Sequence, residues 1–298
     1  MRVLISGSSG LVGSSLRRSL ESDGHEVFSL VRRDPRGANE LRWDPLEGQV
    51  SPIDLKIDAV VHLAGESIAE GRWNEQKKAR IRDSRVIGTR ALSEALASMA
   101  EKPEVMVCAS AVGFYGDRGD TPMTECSDPG EGFLPDVCRE WEDAAEPARA
   151  AGIRVASLRI GVVLAEEGGA LSKMLLPFKL GLGGRIGDGS QYMSWVSLTD
   201  LVSMVRFAIE DSGLSGAVNA VAPGAVTNLE FTKALGRALK RPTLFPLPAF
   251  VARIVLGEMA DDLLLSSIRV EPAVLRERGF NFAHPEIDGA LSAVLGAS

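Results

Sequence analysis

The sequence predicts an α/β protein in which helices cover both faces of a parallel sheet. Five apolar stretches have the length and composition of strands: residues 2–6, 26–31, 58–63, 104–110 and 153–160. Four stretches with helical periodicity alternate with them or follow them: residues 11–23, 74–100, 134–151 and 199–211. Such alternation is typical of parallel strands joined by crossover helices. Two further strands are expected, near 216–221 and at 41–43.

The first strand leads through a glycine-rich turn, Gly7-Ser-Ser-Gly10-Leu-Val-Gly13, into the first helix. Gly7 permits a tight turn, Gly10 allows close approach to a pyrophosphate, and Gly13 lets the helix pack against the strand. Free N–H groups at the start of the helix favour phosphate. This order predicts a Rossmann-type, doubly wound sheet that binds a dinucleotide through Gly7, Ser8, Ser9, Gly10, Leu11, Val12 and Gly13. An ordinary glycine-rich turn between strand and helix is the alternative.

Composition is typical of a globular protein and narrows the choice of partners. The 298 residues are 45% hydrophobic and 24% charged, with a net charge of −7, which disfavours nucleic acid. Because no apolar run has membrane length and the first residues read as a strand and not as a signal peptide, we expect no membrane partner. Three cysteines, Cys108, Cys126 and Cys138, lack metal-like spacing. They predict a reducing, cytoplasmic setting and no metal site.

The regular alternation ends near residue 164, which predicts two structural parts. Residues 1–164 form the dinucleotide-binding core, and residues 190–225 return to it. Residues 165–189 and 226–298 are expected to form a small, mostly helical lobe over the carboxyl edge of the sheet, where open α/β sheets bind ligands. In this lobe, Thr227-Asn-Leu-Glu230 has the spacing of a helix capping box.

Charged residues at the end of the second strand discriminate between the nicotinamide dinucleotides. An acidic residue near this point binds the ribose diol of NAD, whereas an arginine accommodates the 2′-phosphate of NADP. Here the strand is followed by Arg32 and Arg33, and guanidinium groups form strong hydrogen bonds to phosphate. We therefore expect NADP(H). Asp34 keeps NAD open as an alternative if the strand ends one or two residues later.

Several later segments resemble those of the extended short-chain dehydrogenases/reductases. These segments are Asp58–Gly65, Arg85–Thr89, Ala109–Gly116, Arg159–Leu164 and Trp195–Leu201. Narrower matches extend across the chain: Gly65-Glu66, Arg72-Trp73-Asn74, Met174–Phe178 with Gly181–Gly184, Asn219–Pro223, Phe245–Pro248 and Gly279-Phe280. By these matches the chain is identified as a member of the atypical SDR39U family of short-chain dehydrogenases/reductases, which is nucleoside-diphosphate-sugar epimerase-like.

The resemblance implies further cofactor contacts beside the glycine turn and Arg32. They fall on Leu63, Ala64, Gly65, Glu66, Arg85 and Val162. Two of these residues have ordinary alternatives, Arg85 as a surface charge and Glu66 as the cap of the following turn. The family's substrate is not established, so the resemblance implies a small-molecule substrate without naming it.

The usual catalytic pair of the short-chain dehydrogenases is absent from this sequence. That pair is a tyrosine followed four residues later by a lysine, which lowers the pKa of the phenol. The chain has only two tyrosines, Tyr115 and Tyr192, and neither has a lysine at that spacing. When the corresponding helix is aligned with the family pattern, Leu134 and Cys138 occupy the two positions.

Ser110 and Tyr115 remain as the candidate catalytic residues, since the fifth long strand should place both near the nicotinamide. We expect Tyr115 to line the pocket and not to act as a base, because a tyrosine without a nearby cation keeps a pKa of about 10. Arg159 is expected to be structural and Cys138 to be a small core residue. Trp141 and Trp195 are expected to pack in the core.

Three functional hypotheses follow from these observations. The first is an NADP(H)-dependent oxidoreductase or epimerase-like enzyme with an unusual proton donor. The second is a non-catalytic NADPH-binding sensor or regulatory protein, which the missing pair favours. The third is a lyase or isomerase that retains NADP for structure alone. The chain is expected to be a monomer or a homodimer.

Overall fold

The computed structural model describes residues 1–296, and its strands alternate with helices along most of the chain. The strands are β1 (Arg2–Ser6), β2 (Glu26–Val31), β3 (Glu40–Asp44), β4 (Gln49–Val50), β5 (Ala59–His62), β6 (Val105–Ala111), β7 (Pro122–Met123), β8 (Arg154–Ile160), β9 (Val162–Leu164), β10 (Tyr192–Met193), β11 (Trp195–Ser197), β12 (Gly216–Ala220), β13 (Val226–Thr227) and β14 (Arg269–Val270).

The helices, in chain order, are α1 (Leu11–Ser22), α2 (Glu75–Ala97), α3 (Phe133–Asp143), α4 (Glu146–Ala150), α5 (Gly169–Lys179), α6 (Leu198–Glu210), α7 (Asn228–Leu239), α8 (Ala249–Leu256), α9 (Glu258–Ala260), α10 (Ala273–Glu277) and α11 (Ile287–Val294). A 3₁₀ turn covers Val112–Tyr115, and a π turn covers Asp261–Leu265. None of the helices within residues 1–296 is long and apolar enough to cross a membrane.

Eight strands form the main sheet in the order β12-β8-β6-β5-β1-β2-β3-β4. All neighbouring strands are parallel except β3 and β4. Strand order reverses at β1, because the chain first moves outward through β2 and β3 and then returns to β5 on the other side of β1. Such a reversal opens a crevice at the carboxyl ends of the two strands, where α/β sheets bind ligands. The predicted fold class, a Rossmann-type doubly wound sheet, is confirmed.

Side chains of the central strand alternate between two hydrophobic layers. Val3 and Ile5 pack with Leu16 of α1 and Leu201 of α6 on one face of the sheet. Leu4 faces the opposite layer, where α2 and α4 cover the sheet. Burial on both faces explains why β1 is a continuous apolar run without alternation of polar residues. This packing fixes the position of the turn that follows β1.

The predicted elements match the observed ones within a few residues, with one clear difference. The helix predicted at 134–151 is divided into α3 and α4, because Pro147 in the first turn of α4 has no N–H to continue the bonding of α3. The short strand predicted at 41–43 is β3. The predicted capping box forms at the start of α7, where Thr227 and Glu230 exchange hydrogen bonds.

Candidate functional site

The turn between β1 and α1 is closed by backbone contacts that only glycine permits. Gly7 has φ of +70°, a left-handed conformation that disfavours other residues. A Cβ atom on Gly13 would lie 2.2 Å from the carbonyl oxygen of Gly7, so helix and turn touch directly. A Cβ atom on Gly7 would lie 2.9 Å from the backbone of Leu63 and of Ala64. The turn therefore packs against the segment that follows β5.

The N-terminus of α1 is free to bind an anion. Its N-cap residue is Gly10, which has no capping side chain, and its first turn carries no acidic residue. The first hydrogen bond of the helix runs from Ser14 N to Gly10 O at 2.9 Å. Within residues 1–296, the preceding N–H groups, of Leu11, Val12 and Gly13, have no hydrogen-bond acceptor. A glycine-lined turn with three free donors fits a dinucleotide pyrophosphate.

A buried chain of hydrogen bonds connects this turn to α2. Ser6 Oγ accepts the N–H groups of Leu63 and Ala64, at 3.2 and 3.3 Å. Its own proton is therefore donated to His62 Nδ1, 2.6 Å away. The other ring nitrogen, Nε2, then carries the proton and donates to Thr89 Oγ1 at 2.9 Å. Burial, with a smaller effect of the Arg85 charge, lowers the pKa of His62 to about 4, so the ring is neutral at neutral pH.

Two of the charged side chains that directly follow β2, Arg33 and Asp34, are paired with residues of β3. Arg33 binds both carboxylate oxygens of Glu40, at 2.5 and 2.7 Å, and Asp34 pairs with Arg42. Neither pair sequesters Arg32, which is exposed and has no hydrogen-bonded or ionic partner in the described part of the chain. Of the two arginines expected at the cofactor, Arg33 is thus occupied within the protein. Asp34 has an ionic partner too, but 88% of its side chain stays exposed.

Two of the expected cofactor residues, Glu66 and Arg85, make internal contacts after β5. Glu66 accepts a 2.7 Å hydrogen bond from Lys77 Nζ, which is buried in the first turn of α2. Lys77 lowers the pKa of Glu66 and keeps it ionised. The guanidinium of Arg85 donates to the carbonyl of Glu66 at 3.0 Å and lies over the ring of Trp141. Arg85 is therefore not a solvated surface charge. The Glu66 carboxylate binds Lys77 and does not simply cap the following turn.

Ser110 and Tyr115, the two candidate catalytic residues, lie in a buried polar network centred on Arg159. Arg159 forms a two-pronged ion pair with Glu142, with both distances 2.9 Å, and Ser110 Oγ donates to the same carboxylate at 2.7 Å. The Tyr115 hydroxyl accepts from Arg159 at 2.9 Å and donates to Asn219 at 2.6 Å. Both hydroxyls therefore have internal partners.

Burial of Tyr115 contradicts the expectation that it lines an open pocket. The side chain has 0% exposure, and burial raises the pKa of its phenol despite the nearby guanidinium. Tyr115 is buried because its hydroxyl is bound by Arg159, which is itself buried and has the structural role expected of it. Arg159 also lies over the ring of Phe114, 3.4 Å from the centroid.

The positions that normally carry the tyrosine–lysine pair face the turn after β6. A Cβ atom on Gly113 would lie 3.5 Å from Leu134 and 3.9 Å from Cys138 Sγ. Burial raises the pKa of Cys138 to about 12, so this thiol is an inert core group, as expected. Trp141 and Trp195 are also buried, as expected. Val162 is half-buried in β9, just beyond β8.

Most of the predicted site residues follow β1, β2, β5, β6 or β8 at one edge of the sheet, whereas Ser110 lies within β6 and Arg85 lies on α2. The sequence did not predict the buried residues that support the site, above all His62, which contacts Ser6 and Thr89, and Lys77, which contacts Glu66. In the sequence His62 is only one residue of a strand motif, and its partners lie 56 and 27 residues away. Lys77 gives no signal, because a lysine in a polar helix start is ordinarily exposed.

The fold and the glycine turn define a dinucleotide-binding protein of the Rossmann class. Residues 3–221 match the NAD dependent epimerase/dehydratase family, and residues 247–294 match a domain of unknown function, DUF1731. The chain belongs to the NAD dependent epimerase/dehydratase family. Epimerase family protein ML0860 of Mycobacterium leprae is 46% identical over 97% of this chain and 94% of its own. Human epimerase family protein SDR39U1 is 36% identical over 99% of this chain and 100% of its own.

Solved structures agree with these relationships and confirm the resemblance to the SDR39U family. The crystal structure of human SDR39U1 (isoform 2) with NADPH matches 100% of both chains, with 35% identity and a TM-score of 0.93. UDP-N-acetylglucosamine 4-epimerase from Bacillus cereus matches 99% of this chain and 98% of its own, with a TM-score of 0.74. At 18% identity, the second similarity concerns the fold alone.

The neutral His62 predicts a pH dependence of stability. The unfolded chain binds a proton at this residue near pH 6.5, whereas the folded chain does so only at about pH 4. Stability is therefore fully present above pH 6.5 and falls as the pH drops towards 4, by about 3 kcal/mol. Urea denaturation between pH 4 and 7 measures this slope.

His62→Gln should remove this contribution, so that its stability falls less steeply with acid than that of the wild type. His25→Gln is the control for the loss of a histidine outside the buried chain. Equal slopes in the wild type and in His62→Gln would contradict the assignment.

Loss of the Tyr115 hydroxyl should cost stability. Tyr115→Phe leaves the buried Asn219 Oδ1 without its donor and removes one acceptor from Arg159, so we expect the free energy of unfolding to fall by about 1–3 kcal/mol. The matched control is Tyr192→Phe, where the change should stay within about 0.5 kcal/mol. Urea denaturation at pH 7 measures both. A fully stable Tyr115→Phe protein would show that the hydroxyl is not a structural ligand.

Proposed function

We propose that the chain binds NADP(H) at the carboxyl edge of its sheet. The observation that carries this proposal is the uncapped start of α1 behind a turn packed through Gly7 and Gly13. Backbone N–H groups there, together with Ser8 and Ser9 of the turn, would hold the pyrophosphate. Arg32 would bind the 2′-phosphate, because it directly follows β2 and, unlike Arg33 and Asp34, has no ionic partner among the described residues. The NADPH found in human SDR39U1, which is similar over its full length, supports the same choice of cofactor.

The remaining contacts of the dinucleotide would come from segments that follow the neighbouring strands. Leu63, Ala64 and Gly65 would line the path of the cofactor beside the turn. Glu66 and Arg85 would support these segments and would contact the cofactor less directly, because Glu66 already binds Lys77 and Arg85 already binds the carbonyl of Glu66. Val162 would lie at the nicotinamide end. When bound, the cofactor supplies hydride transfer, and the protein supplies placement and electrostatics.

The proposed activity is that of an NADP(H)-dependent oxidoreductase or epimerase-like enzyme acting on a small molecule. Membership in the epimerase/dehydratase family supports this class. The proton would be exchanged through a group other than the Tyr115 phenol, because Arg159 and Asn219 enclose that hydroxyl. Ser110 remains a candidate for orienting the substrate, although its proton is donated to Glu142. The shared network would then keep the wall of the site rigid behind the reacting atoms.

A non-catalytic NADPH sensor is the second candidate, and a specific observation favours it. Ser110 and Tyr115 both donate their hydroxyl protons to internal acceptors, and Leu134 and Cys138 replace the usual acid–base pair. A site with a cofactor and without a proton donor would suit a protein whose surface responds to bound NADPH. The three free cysteines support a reducing, cytoplasmic setting for either function.

The two candidate functions differ in a direct assay. An enzyme should change nicotinamide absorbance with at least one member of a panel of carbonyl compounds and nucleotide sugars. A sensor should leave the absorbance unchanged across the panel and bind NADPH and NADP⁺ with different affinities. An unchanged absorbance across the panel, together with equal affinities for NADPH and NADP⁺, would contradict both candidate functions.

The preference for NADPH should depend on Arg32. Arg32→Ala removes hydrogen bonds from a charged donor, so the affinity for NADPH should fall by about tenfold to a hundredfold. The affinity for NADH should stay nearly constant. Fluorescence titration of the reduced nicotinamide measures both dissociation constants.

Arg33→Ala is the matched control, because Glu40 holds the neighbouring guanidinium away from a ligand. We expect less than about a threefold change in NADPH affinity for this variant, as for other exposed charges. Equal losses of NADPH and NADH affinity in Arg32→Ala would reject the assignment of the 2′-phosphate.

A further inference from the structure

Exposed apolar side chains are concentrated on one part of the surface, formed by residues 168–187 and 231–256. We call these two segments the basic apolar face. Of the twelve large hydrophobic side chains that are exposed among the described residues, nine belong to it: Leu176, Leu180, Leu182, Leu244, Phe245, Leu247, Phe250, Ile254 and Val255. A contiguous apolar patch of this kind marks an interaction site more often than a free surface.

The two segments of this face lie side by side. Leu247 N donates to Arg185 O at 2.8 Å, and Gly187 N donates to Leu247 O at 2.9 Å. The two segments approach each other most closely at Gly184. A Cβ atom there would lie 2.1 Å from the carbonyl oxygen of Phe245, so only glycine fits. The chain after α5 and the chain before α8 are therefore in direct contact.

Each helix of the face exposes apolar residues one turn apart. Leu176 and Leu180 are four residues apart in α5 and its C-cap, while Leu175 and Phe178 of the same helix point into the core. Phe250 and Ile254 are four residues apart in α8, where Ala252 is the buried residue. Residues four apart share one face of a helix. Both helices thus present an apolar stripe outward.

Charge on the basic apolar face has the opposite sign to that of the whole chain. The two segments contain eight of the 33 lysines and arginines and no acidic residue, although exposed acidic residues flank them directly: Glu166, Glu167, Asp188, Glu230 and Glu258. All eight basic side chains are exposed. Lys233, Arg237 and Lys240 follow one stripe at the end of α7, and Arg241 comes next. The net charge of −7 conceals this concentration of positive charge.

Acidic residues from outside the two segments neutralise only part of this charge. Three bases have a carboxylate within 4 Å: Lys179 pairs with Glu166, Arg237 with Asp288 and Arg253 with Asp261. The other five have no carboxylate within that distance among residues 1–296: Lys173, Arg185, Lys233, Lys240 and Arg241. The surface therefore combines exposed hydrophobic groups with an excess of positive charge.

We propose that the basic apolar face docks on the surface of an anionic lipid bilayer. Phe250, Ile254 and the neighbouring leucines would enter the boundary between headgroups and acyl chains, and the unpaired lysines would bind lipid phosphates. A second copy of the chain fits this face poorly, because a two-fold contact would set two positive surfaces against each other. The docking is peripheral and needs no spanning helix.

This face borders the loop that leads away from the cofactor site. Lys173 of α5 donates to Ala69 O at 2.8 Å, and Arg72 donates to Val255 O at 3.0 Å. Residues 63–74 connect β5 to α2 and begin at the wall of the glycine turn. A docked bilayer would therefore lie beside the entrance to the site, although the docking itself does not depend on NADP(H) binding.

Vesicle co-sedimentation tests the docking with the full chain. We expect binding to phosphatidylcholine vesicles that contain about 30% phosphatidylglycerol and little binding to pure phosphatidylcholine. Binding should weaken in about 0.5 M NaCl because salt screens the charges. The triple variant Lys233→Glu/Lys240→Glu/Arg241→Glu should lose about tenfold or more in vesicle affinity. Phe250→Ser/Ile254→Ser should lose a comparable amount.

Matched controls carry the same changes elsewhere on the surface. Arg18→Glu/Arg90→Glu/Lys102→Glu removes three exposed bases outside the face, and Leu46→Ser removes an exposed apolar side chain. Lack of binding by the folded wild type, or equal losses in control and face variants, would overturn the proposal. A stable dimer that Phe250→Ser/Ile254→Ser dissociates would overturn it too, since a second copy would then cover the face.

Discussion

The site depends on one steric constraint, the direct contact of three backbone segments at the carboxyl end of β1. Gly7 lies against the backbone after β5, and Gly13 lies against Gly7. A single methyl group at either position would force the segments apart, because the nearest atoms belong to backbone and cannot rotate away. This contact brings the start of α1 to the crevice where strand order reverses. The dinucleotide site is thus a consequence of packing as much as of chemistry.

Two buried polar networks extend this constraint across the sheet. The first connects Ser6 through His62 to α2, and the second joins Tyr115 to Arg159 and its partners after β6 and β8. Low local polarity makes an unpartnered member costly, so each network holds its strands in a single arrangement. Ser110 and Tyr115, the two candidate catalytic residues, donate their hydroxyl protons within the second network, which is why the choice between enzyme and sensor depends on measured turnover.

Local patterns in the sequence predict the strands, most helices and the glycine turn, because each depends on neighbouring residues. Contacts between distant residues leave no such pattern. The burial of Tyr115 follows from Arg159 and Asn219, which are 44 and 104 residues further along the chain. Arg33 is occupied because Glu40 lies on the next strand. The clustering of eight bases on the basic apolar face is not evident from the sequence, because the whole chain has a net charge of −7.

Calorimetric titration of the purified, cofactor-stripped protein with NADPH, NADP⁺, NADH and NAD⁺ tests the central claim most directly. The packed turn and the unpaired Arg32 predict that NADPH binds about tenfold or more tightly than NADH. This result would show that the crevice at the end of β1 is a working dinucleotide site. Failure of all four nucleotides to bind would contradict it and leave the glycine turn as a purely structural device.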